Sequence, residues 1–274
     1  ARIVSATVSS IELSERKRLL IESVVPLDSW DRICRGLGLL DQLSCRTILL
    51  AQESFREATE ISPNNARALA GLSQAILQEG MCHVGRTREE TYWEALGLAH
   101  RAYALDHHDP FVNLSLGKAL HRAERFEEAL EPLQRALAVV PDNPDVCGTL
   151  GNLLSFMGQP EKGIPLIQSS LKSTYAFLAP MARSYLQMGD HNEARVWSEK
   201  AVATQPDNSW AYVLLGSALG HLGEKGEAYL ALHKCEEIHS GRVIAEFEAL
   251  PTQYGNPHDH DHVLAGVEHS DWRH

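Results

Sequence analysis

A repeat period of about 34 residues constrains this chain more than any other feature. Between Pro110 and Asn143, the residues Gly117, Leu120, Phe126, Ala129, Ala136 and Pro141 fall where two antiparallel helices need them if they are to stack on copies of themselves. The first helix is expected over Phe111 to Ala123. Leu116 and Leu120 form its apolar stripe, and Gly117 between them is small enough to admit a partner helix. The second is expected over Glu127 to Val140, with Ala129, Leu130, Leu133, Ala136 and Leu137 on one face and Pro141 ending it. Neither helix shields its stripe alone, so the pair must pile onto neighbours.

The pattern recurs in both directions. Ser29 to Leu43 carries Trp30, Ile33, Leu37 and Leu40 as a core stripe, and Arg46 to Ile61 begins a run in which Ala51, Phe55, Ala58 and Pro63 keep the mutual spacing of Ala129, Leu133, Ala136 and Pro141. Ala70 and Gly71 open the next hairpin, and Tyr92, Ala95, Ala99 and Ala102 close it one period before Phe126, Ala129, Leu133 and Ala136. About twelve extra residues separate its halves, which makes Glu79 to Arg88 a structural loop by expectation, with partner contact as the alternative. Downstream, Leu150, Gly151, Leu154 and Gly158 repeat Leu116, Gly117, Leu120 and Glu124 one period on. The second helix there is expected to be the weakest, because Gly163 replaces an alanine and Pro165 removes a backbone donor. Ala182, Tyr185, Gly189, Ala194, Ala201 and Pro206 arrive slightly short of a full period, which predicts an irregular helix, and Leu215, Gly216, Leu219, Gly223, Ala228, Leu232 and Cys235 restore the interval.

The expected fold is therefore all-α, a right-handed superhelical solenoid of about six hairpins. Residues 1–28 form a lead-in with an amphipathic helix over Ile11 to Val25, residues 29–241 the solenoid, and residues 242–274 a cap and tail. In the tail, Ile244 to Leu250 is expected to finish a capping helix, and Asp259 to Glu268 reads as one short helix or as a solvated stretch.

Composition bounds the function. With 274 residues, 44% hydrophobic and 22% charged, the chain has the composition of an ordinary soluble protein. Its 36 acidic against 25 basic residues, a formal net charge of -11, disfavour a nucleic-acid backbone as partner, since that affinity is built from Lys and Arg. Cys34, Cys45, Cys82, Cys147 and Cys235 show no Cys-x-x-Cys pair, so neither a disulfide framework nor a zinc knuckle is expected, and Cys147 and Cys235 read as core residues. No apolar run reaches the roughly 18 residues of a membrane span. The chain opens on Ala1 rather than Met, which fits a processed product or a piece of a longer protein. No nucleophile has a neighbouring base and no phosphate loop is present, so neither an enzyme nor a cofactor is expected.

Stacked hairpins leave the first helices lining a concave surface. That surface is expected to hold Lys118, His121 and Arg122, then Asn152, Ser155 and Phe156, then Arg183, Leu186 and Gln187, then Trp210, Ser217 and His221. Basic and amide groups beside aromatics suit an extended peptide that carries carboxylates, and an ordinary hydrated groove, or one filled by the chain's own terminus, is the alternative. In the tail, His258, His260 and His262 are candidate metal ligands. His258 and His262 stand at i and i+4, with Asp259, Asp261 or Glu268 as oxygen donors.

From Ser29 to Gly241 the small-residue and proline positions resemble the tetratricopeptide repeat family, whose members are helical solenoids serving as protein-interaction scaffolds. The resemblance implies a protein or peptide partner or another copy of the chain. It does not extend to the carboxylate clamp known in that family, because Gly148 stands where its lysine would be and Pro180 where its second asparagine would be. Ala1 to Val4, Glu15 to Arg18, Leu27 to Asp31, Arg35 to Leu37, Ala51 to Pro63, Tyr254 to Pro257 and Val263 to Gly266 resemble the carboxyl-terminal repeat region of bacterial class III adenylate cyclases and winged-helix transcriptional activators. This implies the sensory or partner-binding part of a bacterial signalling protein, cytoplasmic, or periplasmic if tethered to a membrane. A metal-responsive tail and a self-assembling scaffold are the competing functions.

Overall fold

Most of the described helices begin where the sequence supplies a side-chain acceptor for their first amide groups; those starting at Phe126, Pro160 and Leu178 do not. Asp28 caps α1 (Ser29–Leu40), Ser44 caps α2 (Cys45–Ile61), Asn65 caps α3 (Ala66–Glu79), Thr87 caps α4 (Arg88–Leu105) and Asp109 caps α5 (Pro110–Arg122), with α6 (Phe126–Val139) following. Asn143 caps α7 (Pro144–Phe156), Asp190 caps α10 (His191–Thr204) and Asn208 caps α11 (Ser209–His221). Between and beyond them lie α8 (Pro160–Ser170), α9 (Leu178–Gln187), α12 (Lys225–His239) and α13 (Pro257–His269). The computed structural model describes residues 28–42, 44–80, 86–172, 174, 176–239 and 257–270, and all regular structure among them is helical. The helices expected at Ile11 to Val25 and Ile244 to Leu250 lie outside the described residues. In the organising repeat both predicted helices agree with α5 and α6 to within a residue at each end.

The chain divides into two compact units, Ala1–Pro141 and Asp142–His274. In the first, α1 pairs with α2, α3 with α4 and α5 with α6, and the first helices of successive hairpins touch, α1 on α3 and α3 on α5. Phe55 of α2 is wholly buried between Gly36 of α1 and Gly71 of α3, where a Cβ atom on the first would come to 2.7 Å of its ring and one on the second closer still. Leu133 stands in the same relation to Gly117. Each glycine thus makes room for one large side chain from a second helix.

In the second unit α7 pairs with α8, α9 with α10 and α11 with α12, and α9 touches both α7 and α11. The helix expected to be weakest, α8, is short but runs unbroken from Pro160 to Ser170 across Pro165. Gly163 is the reason it packs so closely: a Cβ there would approach the Ser155 hydroxyl oxygen to 2.7 Å, and one at Gly151 would meet the Gly163 carbonyl at 2.6 Å. The glycine that lowers intrinsic helicity admits the partner backbone. The shortened repeat gives the shortest first helix, the ten-residue α9, after a turn through Phe177. Of the loop expected over Glu79 to Arg88, residues 81–85 lie outside the described residues; at its two ends Arg86 pairs with Glu79 and with Glu94 of α4, while Gln52 donates to Glu79 at 2.6 Å. Burial raises the Glu79 pKa, but the bonds from Arg86 and Gln52 outweigh it and hold the carboxyl below its ordinary value.

The cysteines depart in part from expectation. Cys34, Cys147 and Cys235 are buried thiols, and burial pushes Cys235 up to about 12, as suits a packing residue. Cys45, however, is disulfide-bonded, which the scattered spacing did not indicate.

Four hairpins turn through the same motif. After α5, α7, α9 and α11, the amides of Arg125, Gln159, Asp190 and Glu224 reach back to the carbonyls of Leu120, Leu154, Tyr185 and Leu219 at 2.9 to 3.0 Å. The residue before each amide is left-handed, with φ of 73°, 74° and 78° at Gly158, Gly189 and Gly223 and 59° at Glu124. An L-residue is strained there by about 1–2 kcal/mol. Glu124→Gly should therefore stabilise the first unit by about 0.5–1 kcal/mol, seen as a higher urea midpoint with an unchanged slope. A lower midpoint would contradict this account of the turn.

Candidate functional site

Within each unit the first helices touch in succession, and polar side chains tie neighbour to neighbour. In the first unit the Ser115 hydroxyl donates to the Ala70 carbonyl at 2.8 Å, Lys118 Nζ donates to Gln74 Oε1 at 3.4 Å, and Arg67 at the start of α3 pairs with Asp109 at 2.6 Å. His121 is half-buried with its ring tilted against Phe126, and Arg122 is exposed at the end of α5. These three predicted groove residues thus occupy the last turn and a half of one first helix.

In the second unit the predicted residues form a more enclosed ladder. The guanidinium of Arg183 donates to the Asn152 side chain, and its carbon lies 3.6 Å above the centre of the Phe156 ring. Gln187 donates to the Ser155 carbonyl at 3.0 Å, and the Ser155 and Ser184 hydroxyls are 2.7 Å apart. Arg183 is only 8% exposed. Its charge holds α9 to α7 as well as colouring the surface.

The last first helix carries a covering. Helix α13 packs along α11 and reaches α9, so Val263 and Val267 enter one core with Val213, Leu214, Ala218, Ala182 and Leu186, against which Trp210 and Phe156 also pack. A glycine pair allows the approach. A Cβ on Gly220 of α11 would fall well inside 3.0 Å of the Gly266 carbonyl, and one on Gly266 would meet the Ser217 hydroxyl at 2.5 Å. Asp259 to Glu268, expected as a solvated stretch or a short helix, lies within helix α13, which packs on α11, the helix that carries Trp210 and His221.

This docking assembles a group that tail spacing alone did not give. His191 opens α10, His221 ends α11 and His262 lies mid-way along α13. Their rings stack, with centroids 4.3 Å apart for His191 and His221, 4.4 Å for His221 and His262, and 5.3 Å for His191 and His262. The Nε2 atoms of His191 and His262 are 3.1 Å apart, and His221 Nε2 is 2.8 Å from the His262 carbonyl. Burial, with the neighbouring His221 adding to it, pushes His191 below the ordinary histidine range, although Asp190 acts the other way. Of the three tail histidines predicted as ligands, only His262 joins this group. His260 is buried next to Asp261, and the side chain of His258 lies outside the described residues. His191 was not singled out from the sequence, and nothing but the abundance of histidine hinted at it.

Profiles of the tetratricopeptide repeat match residues 92–144 and 181–208. The chain carries tetratricopeptide repeats. A chain of the APC/C hetero-tetramer Cut9–Hcn1 superimposes with a TM-score of 0.67 at 17% identity, over 87% of this chain and 46% of that one. This chain thus spans less than half the length of that relative. PilF of Pseudomonas aeruginosa gives 0.53 at 20% identity over 87% of this chain and 98% of its own. A thermophilic tetratricopeptide-repeat protein of Thermus thermophilus gives 0.52 at 21%, over 70% and 98%. At such identities the likeness shows the fold. No curated protein sequence matches the chain. Among the described residues no helix is long and apolar enough to cross a membrane.

Proposed function

We propose that the chain is a protein–protein interaction module that receives a peptide or helical segment of a partner on the face of its first helices. Tetratricopeptide repeats generally serve as non-enzymatic scaffolds, which supports the coarser reading. The observation that carries the finer one is α13: a segment outside the repeats lies on the first helices α9 and α11 and buries Val263 and Val267 there, so that face accepts a helix. In the first unit the corresponding face carries Lys118 and Arg122 beside His121, and the charge of the first two suits a partner segment rich in carboxylates. The resemblance of the opening and closing stretches to the repeat region of bacterial cyclases and activators supports a recognition role in a signalling or regulatory system.

The test is capture of a partner from an extract of the source cells, its identification by mass spectrometry, and titration of the purified pair. Lys118→Ala combined with Arg122→Ala should weaken binding by about tenfold, or about 1.4 kcal/mol, while far-UV circular dichroism shows the helices intact. Arg183 is left in place because it is pinned between Asn152 and Phe156, and its loss would disturb packing. Equal affinity in the double variant would remove the first-unit face from the interaction.

A further inference from the structure

The geometry points to a binding site for a divalent transition-metal ion of the zinc, nickel or copper class, formed by His191, His221 and His262, which fastens α13 across the last two repeats. One ring nitrogen from each lies within 4.8 Å of the others, and the three come from three different helices. Nothing about helix formation requires histidine at these positions: α10 is already capped by Asp190, and α13 is held to α11 by its valines and by the Gly220 and Gly266 contact. Three half-buried imidazoles within ring contact are then a group that core packing leaves unexplained.

The distances fit ligation. Zinc holds imidazole nitrogen at about 2.0–2.1 Å, so two nitrogens on a tetrahedral edge are roughly 3.3 Å apart. The separation of His191 Nε2 and His262 Nε2, 3.1 Å, is close to that edge. When His221 donates its Nε2 proton to the His262 carbonyl at 2.8 Å, its Nδ1 keeps the lone pair, the arrangement in which one ring nitrogen orients and the other ligates. The ring planes lie within 7° to 21° of parallel, and in-plane lone pairs of parallel rings do not meet at a point. Loading the ion therefore turns at least one ring out of the stack. Three nitrogen ligands leave a fourth position for water or for a group from a partner, and imidazole donors select the borderline metals over magnesium or calcium.

The experiment is calorimetric titration of the full, metal-stripped chain with zinc alone, magnesium serving as control. One zinc should bind at a dissociation constant of about 1 μM or below, and binding should weaken roughly 100-fold in His191→Ala and in His262→Ala but not in His233→Ala on the exposed side of α12. His191→Ala is the deciding variant because it leaves α13 intact. Far-UV circular dichroism of the metal-free protein reports its folding, and His191→Gln replaces it if the alanine variant is unfolded. Zinc should also slow amide exchange over residues 257–269 by about tenfold in the parent and not in the variant. Affinity unchanged by both ligand substitutions, or binding no tighter than millimolar, overturns the site. Exchange unaltered by zinc overturns the fastening.

Discussion

Replacing Gly220 by alanine should release α13 from α11. A Cβ at that position would overlap the carbonyl of Gly266, with the carbonyl carbon at 2.9 Å and the Ser270 amide at 3.4 Å. These are backbone atoms, which cannot turn aside as the end of a long side chain can. The two helices must separate, and separation uncovers Val263 and Val267, whose burial is worth about 1.5–3 kcal/mol each. The expected result is loss of amide protection throughout residues 257–270, and loss of the 13-residue helix from the far-UV spectrum if it does not persist alone. The histidine stack would go with it. Gly226→Ala supplies the control, because nothing lies within 4 Å of a Cβ there and alanine favours the helix by up to about 1 kcal/mol. Full protection of α13 in the Gly220 variant would show that the glycine contact does not govern docking.

Phe55→Ala should destabilise the first unit by about 3–5 kcal/mol, since it empties a buried site that two glycines have shaped around the ring. The ring touches the places where Cβ atoms of both Gly36 and Gly71 would stand, so the hole lies between three helices and cannot be closed by moving one of them. Gly71→Ala alone should also destabilise, by crowding a ring that has no room to turn. Combined, the two should cost less than their sum by at least about 1 kcal/mol, because the new methyl enters the space the ring vacated. Urea unfolding of the two single variants and the double variant gives this coupling. Strict additivity would mean that ring and glycines do not share a site.

The contrast between these two positions explains what was legible. Phe55 and Gly36 share a relation that returns within later hairpins as Leu133 with Gly117 and as Leu232 with Gly216, Gly71 takes the glycine position of the next hairpin, and repetition turns a packing rule into a pattern. The first-helix face followed from the same rule, which is why His221, Arg183 and Asn152 were expected on it. That Arg183 would be drawn down between Asn152 and Phe156 was not legible, since nothing in residue spacing says whether a charge reaches outward or lies along its neighbour. Gly163 shows the reverse error. Judged by helix propensity it weakened α8, whereas in the fold it is what lets α7 and α8 approach. The disulfide at Cys45 likewise has no periodic signature.

The sequence by itself determined the helical hairpins, their order and the small residues at which they meet, because each is a local requirement met again in one hairpin after another. Only the tertiary structure decided that the tail folds back over α9 and α11 and that His262 joins His191 and His221. That contact depends on Gly220 matching Gly266, far along the chain and outside any period, and a single long-range fit leaves no regularity in the chain to read.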